Sequence, residues 1–162
     1  MVAPLDLVAR YYRQKIEKEI AKKQFQGNFK DVEITEASGS LVRYRGRQVI
    51  NGDLVDGEVR DELPARAVWV FRDYKPKGML GAKSRELGVL KFTVTDSAVL
   101  RASGNGTMIL LEHRVDLAPG TWARPFQDAA RHKTAEFEVY FPILVREIED
   151  SFRSGPLPSS ST

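Results

Sequence analysis

The sequence predicts an α+β fold: an N-terminal amphipathic helix, then a mostly antiparallel curved sheet or partly open barrel of about seven or eight strands, and finally a short C-terminal helix. Three observations carry this expectation. Apolar residues between Leu5 and Ile20 recur at intervals of three and four. Past Gly27 the period falls to two, interrupted by turn dipeptides such as Asn51-Gly52 and Asp56-Gly57. Pro142 then opens a second run at helical spacing.

In the first helix Leu5, Val8, Tyr12, Ile16 and Ile20 form one stripe, while charged residues from Arg10 to Lys23 fill most other positions. Pro4 suits the first turn, Lys22 and Lys23 suit the negative end of the helix dipole, and Gly27-Asn28 supplies a stop. Strands follow around Val32–Thr35, over Leu41–Ile50 and Leu54–Leu63, and over Ala67–Tyr74, whose β-branched and aromatic residues mark a central strand. Lys75–Glu86 is a loop. Val89–Val94 and Ala98–Ala102 are two further strands, and Met108–Val115 pairs with the second of them through Gly104-Asn105-Gly106. Thr121–His132 is open between a long loop and a short helix. Glu136–Phe141 alternates acidic and apolar residues as a half-buried strand would, and Leu144, Ile148 and Phe152 share a helical stripe after Pro142. Tight turns between successive strands imply antiparallel pairing. The expected organisation is one domain over residues 1–154, with a tail over 155–162 that is too poor in apolar residues to pack.

The chain has 162 residues and no cysteine, so disulfides, zinc–thiolate sites, iron–sulfur clusters and cysteine nucleophiles are excluded. Nothing resembles a secretory signal or a membrane span, so no membrane partner is expected and the expected location is the cytoplasm or a virion. The net charge of +3 is too mild to decide anything. Its distribution is more telling, because basic and acidic residues run in blocks. Arginines dominate 40–50 and 66–101 is largely basic, while 51–62 and 136–150 are mainly acidic. Such blocks suit pairing within a fold or across an interface.

Arg43, Arg45 and Arg47 alternate along a strand, so their guanidinium groups share a face and require anionic company. Phosphates would serve, and so would the carboxylates Glu58, Asp61 and Glu62 past the next turn. The loop carrying Lys75, Lys77, Met79, Leu80, Lys83 and Arg85 has the length and mixture of a binding arm, but not the ending of a phosphate-binding loop. The acids Asp53, Asp56, Glu58, Asp61 and Glu62 do not follow calcium-loop spacing. His113 follows Glu112 in a strand, so the two point to opposite faces. No nucleophile elbow and no His-Glu-x-x-His occur, so no catalytic, cofactor or metal residues are assigned. Trp69 and Phe71 share a strand face whose default place is the core.

The expected function is that of a non-enzymatic structural or interaction protein, a subunit of a homo- or hetero-oligomeric assembly that meets itself or other protein subunits through opposed charge blocks. The order helix, antiparallel sheet, strand, Pro-initiated helix is similar to that of some phage tail-terminator and neck-ring proteins, and this resemblance implies a ring component. The alternative is a nucleic-acid-binding module whose basic strand face and basic loop contact phosphates. A third expectation, a small ligand held inside the curved sheet, follows if the sheet encloses a cavity.

Overall fold

The computed structural model describes residues 3–25, 29–49, 52–74, 92–116 and 124–153. Helix α1 (Leu5–Lys22) is followed by strands β1 (Phe29–Ser38), β2 (Leu41–Gln48), β3 (Leu54–Glu62), β4 (Arg66–Tyr74), β5 (Phe92–Ser103) and β6 (Gly106–Asp116), and helix α2 (Arg124–Arg153) comes last. The sheet is an open antiparallel meander in the order β1-β2-β3-β4-β5-β6, so every strand pairs with its neighbours in the chain.

Helix α1 forms where the apolar stripe predicts it. Pro4 sits at the N-cap and its carbonyl accepts from the Leu7 and Val8 amides. The stop comes at Lys23 rather than at Gly27-Asn28. Lys23 takes a left-handed φ of 51°, and the Lys23 and Gln24 amides close back onto the carbonyls of Ile20 and Glu19. Those two bonds offset the steric cost of the left-handed turn for a residue with a Cβ.

Among the described residues six strands form where seven or eight are expected. Residues 89–91 of the expected strand Val89–Val94 lie outside the described residues, and its remainder does not stand apart from Ala98–Ala102: from Phe92 to Ser103 the chain is one 12-residue strand. It stays in unbroken register with β6 from Thr93↔Asp116 to Ser103↔Gly106. Ladder pairing thus carries the backbone unbroken through Thr95-Asp96-Ser97, the polar stretch between the two expected strands. The Glu136–Phe141 strand is the second correction, since these residues are helical. Helix α2 starts at Arg124 and spans 30 residues, with Pro142 in its interior rather than at its start. Phe137, Phe141, Leu144, Ile148 and Phe152 keep three- and four-residue spacing across the proline. The alternating pattern of the short window is therefore subordinate to a longer helical one.

One face of the sheet receives α1 and α2. Tyr44, Val55, Val59, Ala67, Trp69, Phe71, Val94, Ala98, Leu100 and Ile109 point there and form a single core with Val8, Tyr12, Ile16, Leu144 and Ile148. Gly57 faces Tyr44 across β2 and β3, and the phenol ring lies flat over it. Phe25 stacks on the other side of that ring, with centroids 3.8 Å apart. The last hairpin turns at Gly104, whose φ of 58° favours glycine. Among the described residues no helix is long and apolar enough to cross a membrane.

Candidate ligand cleft and arginine face

Strand β2 alternates buried and exposed residues, so Val42, Tyr44 and Gln48 face the core while Arg43, Arg45 and Arg47 share the outer face. The cross-strand register then places Arg43 opposite Glu58 and Arg45 opposite Asp56. Arg43 donates from Nε to Glu58 at 3.1 Å and from Nη1 to Glu36 at 2.6 Å. Arg45 donates to Asp56 at 2.8 Å, and Arg47 donates to the Gly52 carbonyl at 3.1 Å. Arg60 and Arg72 also reach Glu58, Arg66 pairs with Glu62, and Arg114 donates to Asp116 at 2.8 Å.

Glu58 is the centre of this array. It lies on the outer face yet is only 1% exposed, covered by the arginine side chains. Burial opposes its charge, but hydrogen bonds from Arg43 and Arg60 and the charges of Arg60 and Arg72 hold its carboxyl below the usual carboxylate range. Val68 and Val70 also lie on the outer face and are nonetheless buried, in a concavity that Arg60, Arg66 and Arg114 help to line. The stripe Arg43, Arg45, Arg47 thus has carboxylates and a carbonyl as its company within the chain. The basic-loop residues Lys75, Lys77, Met79, Leu80, Lys83 and Arg85 lie outside the described residues.

The acidic hairpin residues are spread among these arginines. Asp61 goes to the helix face, where it accepts from Arg13 of α1 at 3.0 Å. Among the described residues no three His, Asp or Glu side chains converge on a metal position. Glu112 and His113 point to opposite faces as their spacing requires. Glu112 accepts from the Ser97 hydroxyl at 2.9 Å, and His113 Nδ1 meets Asp96 Oδ1 at 2.5 Å across the β5–β6 pair.

On the helix face a cleft of about 270 Å³ opens where α1, α2 and strands β4–β6 meet. Tyr12 and Lys15 line it from α1, Tyr140 and Leu144 from α2, and Trp69, Asp96, Ser97, Ala98, Leu111 and Glu112 from the sheet. The indole of Trp69 is held in place from behind, because its Nε1 donates to Glu19 Oε2 at 2.8 Å. The Lys15 ammonium stands 5.8 Å from the indole centroid, a cation–π distance. Glu19 is 9% exposed, and desolvation raises its carboxyl above the usual range although the Trp69 hydrogen bond and Lys15 oppose this. Tyr12 is 2% exposed, and its hydroxyl has no hydrogen-bond partner among the described residues. Burial pushes its phenol well above the ordinary tyrosine range, so it is a neutral donor at any physiological pH. Nearby, the Tyr11 hydroxyl donates to Glu147 Oε2 at 3.1 Å and ties α1 to α2.

The sequence places Tyr12 in a core stripe, Lys15 on a solvated helix face and Trp69 in the core, and singles out Asp96 not at all. Their meeting is a tertiary property of residues 84 positions apart, from Tyr12 to Asp96. The one local signal is a tyrosine in an otherwise aliphatic stripe, since a buried hydroxyl needs a partner.

No family model matches the chain, and no curated protein matches it in sequence. Among solved structures, the chain is similar to the crystal structure of TTHA0849 from Thermus thermophilus, with 18% sequence identity, a TM-score of 0.49 and coverage of 93% of each chain.

Proposed function

We propose that this chain is a small-ligand-binding protein whose site is the cleft between the two helices and strands β4–β6. The observation that carries the reading is the cleft itself, in which the Trp69 indole, Leu111 and Leu144 form an apolar lining beside the polar residues Lys15, Asp96 and Glu112. A mostly apolar concavity with a few polar groups is the usual form of a small-molecule site, and this one is at the small end of the range. The test is titration with 8-anilinonaphthalene-1-sulfonate against the wild type and Leu111→Trp, whose larger ring fills the cleft. Saturable one-to-one binding that Leu111→Trp weakens at least about tenfold supports the reading. No binding, or binding indifferent to a folded Leu111→Trp, ends it.

A second reading, a subunit of a larger assembly, is favoured by strand β6. It is an edge strand, its register with β5 has no bulge over its whole length, and it exposes Met108 (50%) and Leu110 (46%). The opposite edge, β1, carries two register shifts and a positive φ at Asp31, devices that blunt an edge. The β6 edge lacks them and suits strand addition by another subunit.

A further inference from the structure

We propose that β6 joins two copies of this chain: it pairs antiparallel with the β6 of a second copy about a two-fold axis at Ile109, normal to the sheet, so that the two sheets become one. This rests on the assembly reading above and adds to it the partner and the register.

The backbone of the edge restricts how a second strand can join it. A two-residue turn links β5 to β6, so Ser103 and Gly106 are the first hydrogen-bonded pair. From Gly106 on, every second residue turns its N–H and C=O toward β5. Thr107, Ile109 and Leu111 turn theirs outward, and among the described residues no backbone hydrogen bond meets them from that side. A partner strand must answer this alternation. Self-pairing is therefore confined to axes that pass through a residue position. An axis between two residues would oppose outward-turned groups to inward-turned ones.

Side chains on the outer face choose among the remaining registers. Met108 and Leu110 are half-exposed there, whereas Val68 and Val70 on the same face are buried. With the axis at Ile109, Met108 lies directly opposite Leu110 of the second copy, and Leu110 opposite its Met108. Both are non-hydrogen-bonded pairs, the kind that brings side chains closest. An axis at Leu111 would set Met108 against Arg114 and Leu110 against Glu112. An axis at Leu110 would set Met108 against Glu112, and one at Met108 would leave Leu110 facing Gly106. The Ile109 axis also places Glu112 of the second copy opposite Gly106, which has no side chain to fill the space. Arg101 stands beside that space as the β5 partner of Met108. It is exposed and makes no ion pair among the described residues, so the second copy supplies it with a carboxylate. The two-fold axis makes each of these contacts twice.

The chain has no cysteine, so introduced thiols report the register without interference. Met108→Cys and Leu110→Cys are made as separate full-length chains, one of them isotopically heavy. They are mixed under mild air oxidation, and the disulfide products are resolved by intact mass. Both sites are exposed, so the variants should fold, and far-UV circular dichroism checks that they do. Directly opposed positions lie within disulfide reach, whereas positions displaced by two residues are about 7–8 Å apart and are not bridged. The mixed disulfide is therefore expected to exceed each symmetric product by at least about tenfold. Light scattering of the unsubstituted chain should show a dimer. An oligomer whose thiols join symmetrically, in equal yields of all three products, or not at all would overturn the self-pairing of β6 and leave the assembly reading standing. A monomer at every concentration would overturn both.

Discussion

Two buried glutamates in this protein respond to acid in opposite senses. Glu58 is surrounded by arginines that depress its pKa, so its contribution to stability is complete above the unfolded-state value and is lost as pH falls through the lower folded value. Glu19 is raised by desolvation, so its contribution is greatest below the unfolded-state value and is lost as pH rises through the folded one. Glu58→Gln should destabilise the protein at pH 7 by about 1–2 kcal/mol, a charge-assisted hydrogen-bond cost discounted for half-exposed arginine partners. It should also flatten the loss of stability below about pH 4, the unfolded-state range of glutamate. Glu19→Gln keeps an acceptor for Trp69 and should be at least as stable as wild type at pH 7, with the difference shrinking on acidification. Urea melts of the three proteins from pH 3 to pH 8 check both slopes. A Glu58→Gln protein as stable as wild type at pH 7 would show that the arginine array contributes nothing. Glu58 was legible as a carboxylate for the arginine stripe because hairpin register follows from the turn, whereas Glu62 pairs with Arg66 instead. The register gives Arg43 to Glu58, but Asp61 faces the other way and serves Arg13. Tyr12 was not legible as a site residue, because a 3.6-residue period reports which side of a helix is covered and not what covers it.

At the scale of elements, the close approach of Gly57 to the Tyr44 ring makes a strong prediction. A methyl group at position 57 would overlap the ring, which is itself pinned by Phe25. Gly57→Ala should therefore cost about 1–3 kcal/mol in a thermal or urea melt, the range for overpacking. The glycine is recognisable in the sequence only as half of Asp56-Gly57, a turn signal, whereas in the structure it lies within β3 and makes room for an aromatic ring. The end of α1 gives a change of the opposite sign. Lys23→Gly relieves the left-handed φ at the C-cap and should stabilise by about 1 kcal/mol in the same melts. Pro142 lacks the N–H that would bond within α2 and is exposed, so Pro142→Ala should add helical signal at 222 nm and raise stability. Unchanged ellipticity would argue against a helix that runs through this position. The strands were legible where turn residues bound them. Glu136–Phe141 misled because six residues can satisfy periods of two and of 3.6 at once, and only the longer stripe to Phe152 separates them.

For the whole molecule, the two readings of function separate in one measurement of mass. If β6 joins another copy, light scattering should give a defined oligomer, and Leu110→Lys should shift it toward monomer at least about tenfold in protein concentration. A monomer at every concentration would remove the assembly reading and leave the cleft untouched. High ionic strength should change the mass little if the contact is a β-strand edge, and much if it is made by opposed charge blocks. The two blocks over 40–50 and 51–62 largely pair with each other within the sheet, where Arg43 meets Glu58 and Arg45 meets Asp56. Charge patterning alone could not tell pairing across strands from pairing across subunits.

The meander order has a kinetic consequence. Every strand pairs with a chain neighbour, so the sheet can zip up one hairpin at a time as the polypeptide is made. The cleft cannot form in that way. Tyr12 comes from the first helix and Leu144 from the last, and the tie between Tyr11 and Glu147 joins positions 136 residues apart. Docking of α2 is then a late event, and contacts made late are absent from the rate-limiting barrier to folding. A molecule lodged in the cleft should leave the refolding rate nearly unchanged and slow the escape from the native state, so that occupancy reads out as a longer lifetime of the folded protein.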